Sequence, residues 1–147
     1  MLVRIATMED MTGLLSIERD CFGKERFSRS LIRSLMGSAD ADVLVGTQEG
    51  RVVASAMVLH DPSTLRSRIL SLAILPGYQG RGYSKVLSLH LEERSRMRGS
   101  LSIFLEVRVE NEAAIALYLQ SGYRTGDRIP HFFGRGQDAW YMERALL

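Results

Sequence analysis

One stretch in the middle of the chain constrains the fold more than any other. A strand-like apolar run over residues 68–75 meets Pro76-Gly77 and passes through the glycine-rich turn Gln79–Ser84 into a helical pattern. A buried strand that turns directly into a helix is typical of a sheet covered by helices. Glycines in such a turn let backbone N–H groups approach an anion, and the helix N-terminus adds partial positive charge. The turn is therefore either a plain tight turn or a pyrophosphate site.

This turn matches neither of the two commonest nucleotide-binding motifs. It lacks the Lys-Ser/Thr ending of a P-loop, and it lacks the three-glycine spacing of the dinucleotide fingerprint. Those two classes of nucleotide-binding protein are excluded. The turn alone does not indicate which anion it would bind.

The spacing of apolar residues predicts the other elements of the fold. The predicted strands cover residues 2–6, 43–48, 51–59, 68–75, 101–109 and 139–145. The predicted helices cover residues 11–22, 83–97, 111–122 and a segment from a Ser28 cap to about Gly37 that buries Leu31, Ile32, Leu35 and Met36. Residues 126–136 are predicted to be turns. This order of elements implies an α+β or mixed α/β sheet with helices on its faces.

Residues 101–109 alternate, which predicts a strand with one apolar face. The apolar face carries Leu101, Ile103, Leu105, Val107 and Val109. Glu106 lies on the opposite face, and its ordinary interpretation is a carboxylate paired with Arg108. Asn111 is a cap for the next helix, and Tyr118 on that helix is a core aromatic residue with its hydroxyl at the edge. Taken one at a time, these residues do not define a site.

Length, charge and composition limit the class of protein. With 147 residues, 46% of them hydrophobic, the chain is expected to be a single globular domain over residues 1–147. A net charge of +2 lacks the basic excess of a nucleic-acid binder, so no nucleic-acid partner is expected. No apolar run approaches the roughly 18 residues of a membrane helix, and the first residues lack a signal-peptide pattern. We therefore expect a cytoplasmic protein without a membrane partner.

Cysteine and histidine residues do not form a recognisable metal site. Cys21 stands alone among the apolar positions of the first predicted helix, which indicates a buried thiol. His60, His90 and His131 are far apart in the sequence and have no Cys or acidic partners at ligand spacing. No bound metal is expected.

Taken together, two segments resemble a known superfamily. The run from Leu72 to Gly82 resembles the acetyl-coenzyme A motif of the GNAT acetyltransferases. Within residues 105–123, Leu-Glu-Val-Arg, a following Asn, Ala-Leu-Tyr and Gly-Tyr are similar to the bacterial ribosomal-protein alanine N-acetyltransferases. The resemblance is strong over residues 70–125. In the rest of the chain it rests on the order of the predicted strands and helices. It implies the GNAT fold, a mixed sheet of about six to seven strands flanked by about four helices.

The resemblance also implies roles for particular residues, with acetyl-CoA as cosubstrate and no metal. Glu106 would be the general base and Tyr118 the general acid. The residues implied in cofactor binding are Leu72, Ala73, Ile74, Gln79, Gly80, Arg81, Gly82, Tyr83, Ser84, Lys85 and Asn111. These residue types suit the chemistry, because an attacking amine must lose a proton and a departing thiolate must gain one. A backbone N–H near Ala73 or Ile74 would polarise the thioester carbonyl.

The sequence leaves the acceptor of the acetyl group open. A protein N-terminal α-amine, as on a ribosomal protein, is the leading hypothesis; a small-molecule amine is the alternative, followed by a non-catalytic coenzyme A sensor. Ser84 stands where the superfamily usually has Gly or Ala. The acceptor-side segments, Arg26-Phe27-Ser28 and Pro130-His131-Phe132-Phe133, also depart from the Pro-Trp-Ser and paired-tyrosine patterns of N-terminal acetyltransferases. Either a monomer or a homodimer is compatible with the sequence.

Overall fold

The computed structural model describes all residues from Met1 to Leu147 and contains both strands and helices. The strands are β1 (Leu2–Ile5), β2 (Ala41–Gln48), β3 (Arg51–Asp61), β4 (Arg66–Ile74), β5 (Ser102–Arg108), β6 (Arg124–Ile129) and β7 (Ala139–Ala145). The α-helices are α1 (Met11–Phe22), α2 (Arg29–Met36), α3 (Tyr83–Met97) and α4 (Glu112–Gln120).

All strands belong to one seven-stranded sheet in the order β1-β2-β3-β4-β5-β7-β6. Every neighbouring pair is antiparallel except β4 and β5, which are parallel. Helix α3 connects these two strands, because parallel neighbours need a long crossover. The predicted mixed sheet flanked by four helices is therefore confirmed.

The sheet carries a hydrophobic cluster on each face. Residues Val43 and Val45 of β2 belong to a cluster with Leu14 of α1 and Ile32 of α2. Leu44, between the two valines, belongs to a larger cluster that includes α3 and α4. Because successive side chains of a strand point to opposite faces, α2 and most of α1 cover one face and α3 covers the other.

The parallel strands β4 and β5 pair at one end only. Their paired residues run from Arg66 with Ser102 to Arg68 with Phe104, and no pairing follows. The register of β4 with β3 also shifts at Leu70, as in a β-bulge. The two strands therefore diverge towards their C-terminal ends, and the backbone of residues 69–74 has no strand partner on its β5 side.

Buried polar groups at the paired end of the sheet satisfy one another. The His60 ring lies 2.7 Å from the Ser67 hydroxyl and 2.9 Å from the Asp42 carboxylate. Asp42 also accepts hydrogen bonds from Arg94 and Arg98 at the end of α3. His60 is therefore part of an internal network, and these two arginines share one carboxylate within the chain.

Two predictions about individual elements are wrong. Leu31 was expected in the core but is 43% exposed, because α2 buries only the stripe that contains Ile32 and Leu35. Residues 126–129 were expected to be turns but belong to β6. This edge strand pairs only with β7 and is exposed along most of its length, so it lacks the apolar alternation that would reveal a strand.

Candidate active site

The space between the diverging strands holds two adjoining cavities. The first, of about 530 Å³, lies between the end of β4, the start of α3 and the first turns of α4. It is lined by Cys21, Phe22, Leu72, Ala73, Ile74, Gln79, Gly80, Ser84, Asn111, Ala113, Ala114, Leu117 and Tyr118. This space, whose walls are mostly apolar, extends to the N-terminus of α3.

The turn before α3 has the backbone geometry of an anion site. Gly80 and Gly82 have φ values of +79° and +80°, which side chains disfavour, and a side chain at either position would extend into open space. No side chain caps the helix, so the first N–H groups of α3 lack partners within the protein. Gly80 and Ser84 of this turn line the first cavity, and the helix dipole favours a negative group at this position.

The predicted cofactor-binding residues divide into two groups in the structure. Leu72, Ala73, Ile74, Gln79, Gly80, Ser84 and Asn111 line the first cavity. Arg81, Gly82, Tyr83 and Lys85 lie at the turn but do not line this cavity. The Tyr83 hydroxyl donates a hydrogen bond to Gln48 at 3.3 Å, which ties the start of α3 to the β2–β3 hairpin. Gln79 donates a hydrogen bond to the Ile74 carbonyl at 3.1 Å, which fixes the turn on β4.

The second cavity, of about 320 Å³, lies on the β5 side of the first. The two cavities share Cys21, Phe22, Leu72, Asn111, Ala114 and Tyr118. Glu106 and Tyr118 both line the second cavity, so the structure brings the predicted base and acid to one space. The buried Ser71 hydroxyl in its wall has no hydrogen-bond partner in the protein.

Glu106 was expected to pair with Arg108. In the structure it pairs with Arg68 instead. An Arg68 Nη2 atom lies 2.7 Å from Oε1 of Glu106, and Arg68 Nε donates to Oε2 at 3.3 Å. The Glu106 side chain is only 8% exposed. Burial raises the pKa of this carboxyl above its usual range, and the Arg68 guanidinium opposes that rise without cancelling it. Arg108 points away because it pairs with Glu25.

The Tyr118 side chain is buried, but its hydroxyl forms no hydrogen bond within the chain. Its ring packs against the Tyr123 ring in an edge-to-face arrangement with centroids 5.1 Å apart. Burial is the main cause that raises the pKa of the Tyr118 hydroxyl. This phenol is therefore protonated at neutral pH and is free to donate a hydrogen bond into either cavity.

Asn111 and Cys21 have structural contacts of their own. The Asn111 side chain accepts a hydrogen bond from the Ala114 N–H, which confirms it as the cap of α4. Cys21 was expected to be buried but is only partly buried, because it forms part of both cavity walls. Its thiol lies 3.4 Å from the Ile74 carbonyl, and burial raises its pKa. Cys21 is thus a protonated wall residue rather than a nucleophile.

Side chains from three segments meet at the rim of the second cavity. Arg108 pairs with Glu25 after α1 and donates a hydrogen bond to Gln137 at 2.6 Å. Its guanidinium also lies over the Phe133 ring, 4.5 Å from the centroid. This contact joins the α1–α2 connection to the β6–β7 loop beside the site.

Two further classes of site find no support in the structure. No group of three or more His, Cys, Asp or Glu side chains is arranged to hold a metal ion. No helix has both the length and the apolar character to cross a membrane.

The fold and the divided sheet define an acyl-group transferase of a known type. Residues 11–123 match the acetyltransferase (GNAT) family model. The chain belongs to this family. Proteins with this fold use acetyl-CoA as the acetyl donor.

Three relatives show what the sequence is similar to. An uncharacterised protein of Mycobacterium leprae is 36% identical over 80% of this chain and 32% of its own length. An N-alpha-acetyltransferase of Sulfolobus acidocaldarius is 27% identical over 98% of this chain and 92% of its own length. The Escherichia coli K12 ribosomal protein bS18-alanine N-acetyltransferase is 39% identical over 52% of this chain and 51% of its own length. The chain thus spans about a third of the first of these relatives and about half of the third.

Solved structures agree with the fold over the whole chain. The Escherichia coli ribosomal-protein-S18-alanine N-acetyltransferase superposes with a TM-score of 0.87 at 25% identity, covering 99% of this chain and 93% of the other. An aminoglycoside 6'-N-acetyltransferase complexed with coenzyme A superposes with a TM-score of 0.88 at 12% identity, covering 100% of this chain and 98% of the other. The second likeness concerns the fold alone.

Sequence reasoning missed three residues of the site. Arg68 lies in a different strand from Glu106, and no local pattern indicates that β4 and β5 pair at this point. Ser71 lies within an apolar run. Phe22 ends a helix, and its apolar side chain fits the spacing of that helix's buried face, so neither residue stands out in the sequence. The only available signal was the position of these residues. Arg68 and Ser71 lie in the strand that leads into the motif from Leu72 to Gly82, and Phe22 is the last residue of the first helix.

Proposed function

We propose that this protein transfers the acetyl group of acetyl-CoA to the α-amine at the N-terminus of a protein. One observation supports catalysis above all others: a buried carboxylate, Glu106, and an unbonded buried phenol, Tyr118, face the same cavity. That cavity adjoins the one that ends at the free N–H groups of α3. The proposed catalytic domain covers residues 1–147.

The residues present fit acetyl-CoA, which would supply the acetyl thioester when bound. Gly80, Gly82 and Ser84 at the start of α3 would hold the pyrophosphate through backbone N–H groups, helped by the helix dipole. The apolar walls formed by Leu72, Ala73 and Ile74 would hold the pantetheine arm. The unpaired backbone of β4 offers N–H groups to the thioester carbonyl oxygen as it gains charge.

The chain's own residues would move the protons in the reaction. Glu106 accepts a proton from the attacking amine, directly or through water, because two of its lone-pair directions remain free beside Arg68. As that proton leaves, the amine nitrogen forms its bond to the acetyl carbonyl carbon, and the carbon–sulfur bond breaks. Tyr118 donates its proton to the departing sulfur. No covalent enzyme intermediate is needed.

The acceptor is proposed from relatives and from the shape of the second cavity. Two relatives are named as acetyltransferases of an N-terminal α-amine or of a ribosomal-protein alanine. The second cavity, at about 320 Å³, has room for the first residue of a peptide between the Glu25–Arg108 rim and Glu106. An extended chain would leave past Phe133.

A panel of acceptors tests this function. The protein is incubated with acetyl-CoA and either peptides with free N-termini or small amines, and release of free thiol is measured. The expected result is turnover with peptides. Turnover with small amines alone would favour a small-molecule acetyltransferase, and cofactor binding without turnover on any acceptor would favour a coenzyme A sensor.

A further inference from the structure

The charged groups that line the second cavity compensate one another. They are Glu25, Glu106 and Arg108, and the two carboxylates pair with Arg108 and Arg68, respectively. The pair of Glu106 and Arg68 uses both carboxylate oxygens. The cavity wall therefore contains a base but no uncompensated negative charge.

The surroundings of Glu106 do not restore a negative charge. The titratable or charged groups near it on the packed elements are Arg66 and Arg68 of β4, Arg108 of β5, Tyr141 and Glu143 of β7, Tyr118 of α4, Cys21 of α1 and Glu25 of the following turn. Arg66 binds the Tyr141 hydroxyl, and both Arg66 and Arg124 of β6 pair with Glu143, so no negative charge is left over there. Tyr118 and Cys21 are neutral because burial raises the pKa of each.

This balance affects which form of an amine the site accepts. A lone buried carboxylate attracts an ammonium ion, whereas a guanidinium paired with that carboxylate offsets part of the attraction. A free α-amine has a pKa of about 7.7 to 8.0, and a lysine side chain has one of about 10.4. Near neutral pH about a tenth of α-amines, but only about one lysine in 2,500, is already uncharged. A charge-balanced site therefore favours the α-amine.

We propose that Arg68 is a specificity-determining residue that makes the acceptor site select amines that arrive uncharged. By neutralising Glu106, it disfavours lysine side chains and polyamines and favours a single α-amine. This inference rests on the proposed function. Glu106 remains able to take the second proton of the amine, because Arg68 occupies only part of its hydrogen-bonding capacity.

Variants at Arg68 separate its charge from its size and its hydrogen bonds. Arg68→Met keeps most of the volume, Arg68→Gln keeps an N–H donor, and Arg68→Lys keeps the charge. The arginine side chain is 40% exposed, so these changes should leave the fold intact, and a thermal melt checks this for each variant. If one uncharged variant fails to fold, the other carries the test.

The measurement is kcat/KM on two matched peptides, one with a free α-amine and no lysine, the other with a blocked N-terminus and one lysine. Wild type is expected to prefer the α-amine. Arg68→Met and Arg68→Gln should each shift the ratio towards lysine by about tenfold or more, whereas Arg68→Lys should keep the wild-type preference. The acidic limb of the rate profile should also move to higher pH in Arg68→Met, because Glu106 loses the cation that lowers its pKa.

Two different failures are distinguishable. If wild type acetylates the α-amine peptide but both uncharged variants lose activity equally on both peptides, Arg68 has only a structural role and the inference is wrong. If wild type does not acetylate the α-amine peptide at all, the proposed function itself fails, and the inference fails with it.

Discussion

The rings of Tyr118 and Tyr123 meet edge to face, with centroids 5.1 Å apart and planes inclined at 64°. The Tyr123 hydroxyl donates a hydrogen bond to the buried carboxylate of Glu92 at 3.2 Å, whereas the Tyr118 hydroxyl has no partner. Tyr123 therefore anchors Tyr118, and only Tyr118 presents a free hydroxyl to the cavities.

Replacing Tyr118 by Phe should slow turnover without weakening cofactor binding. The change removes one hydroxyl and little volume, and general acid–base groups typically contribute about 10² to 10⁴-fold. Steady-state kinetics and a binding titration with acetyl-CoA measure the two effects. Tyr123→Phe is the matched control, which should lower stability more than kcat. If Tyr118→Phe turns over as fast as wild type, Tyr118 has only a structural role.

Replacing Glu106 by Gln should make the rate depend on the ionisation of the acceptor. In wild type, activity should fall as the pH drops through the raised pKa of Glu106, because the base must be ionised to accept a proton. In the variant the rate at neutral pH should be low, and raising the pH should restore part of it, because a larger fraction of the amine then arrives uncharged. For an α-amine the recovery should level off by about pH 9, and for a lysine it should continue towards about pH 10.4.

The control for this experiment is Glu110→Gln, since Glu110 is exposed just beyond β5. Its pH–rate profile should equal that of wild type. If Glu106→Gln is as active as wild type over the whole range, Glu106 is not the base. A loss that high pH never relieves would indicate a role in positioning.

Acetyl-CoA should raise the melting temperature of the wild-type protein, and Gly82→Trp should abolish this rise. At a concentration of about 100 times Kd the stabilisation should be about 2.7 kcal/mol. Gly99→Trp is the matched control, because Gly99 has the same φ of +80° and equal free space but lies at the other end of α3. It should lower the melting temperature similarly and keep the rise. The absence of any rise in wild type would contradict the cofactor assignment.

Replacing Arg144 by Met should destabilise the fold by about 2 to 4 kcal/mol, measured by urea unfolding. Arg144 pairs with Glu92, whose side chain is only 1% exposed, so the change leaves a buried carboxylate without its cation. Arg124→Met is the control, because Arg124 is 80% exposed in its pair with Glu143 and should cost less than about 1 kcal/mol. Equal losses in the two variants would contradict this assignment of the Glu92 network.

The elements that the sequence predicts well are those whose pattern is local. The β2–β3 hairpin follows from Glu49-Gly50, which adopt the positive φ values that such turns need. The face of Glu106 follows from the alternation around it, and the Asn111 cap from its place before α4. In contrast, β6 has no apolar alternation, because both of its faces meet water.

The candidate site is less predictable than the fold because its key contacts join distant segments. Glu106 was expected to pair with Arg108, two residues away on the same strand face. Its partner, Arg68, is instead brought close by the short parallel pairing of β4 with β5, while Arg108 turns to Glu25. Such choices depend on where two strands diverge, and nothing in either strand alone specifies that point.

The most direct test of the proposed activity uses one peptide that carries both a free N-terminal α-amine and an internal lysine. After incubation with acetyl-CoA and the protein near pH 7, tandem mass spectrometry locates the acetyl group. Acetylation of the α-nitrogen, with the lysine unmodified, is the predicted result. Acetylation of the lysine alone, or no acetylation of the peptide while a small amine is turned over, would contradict it.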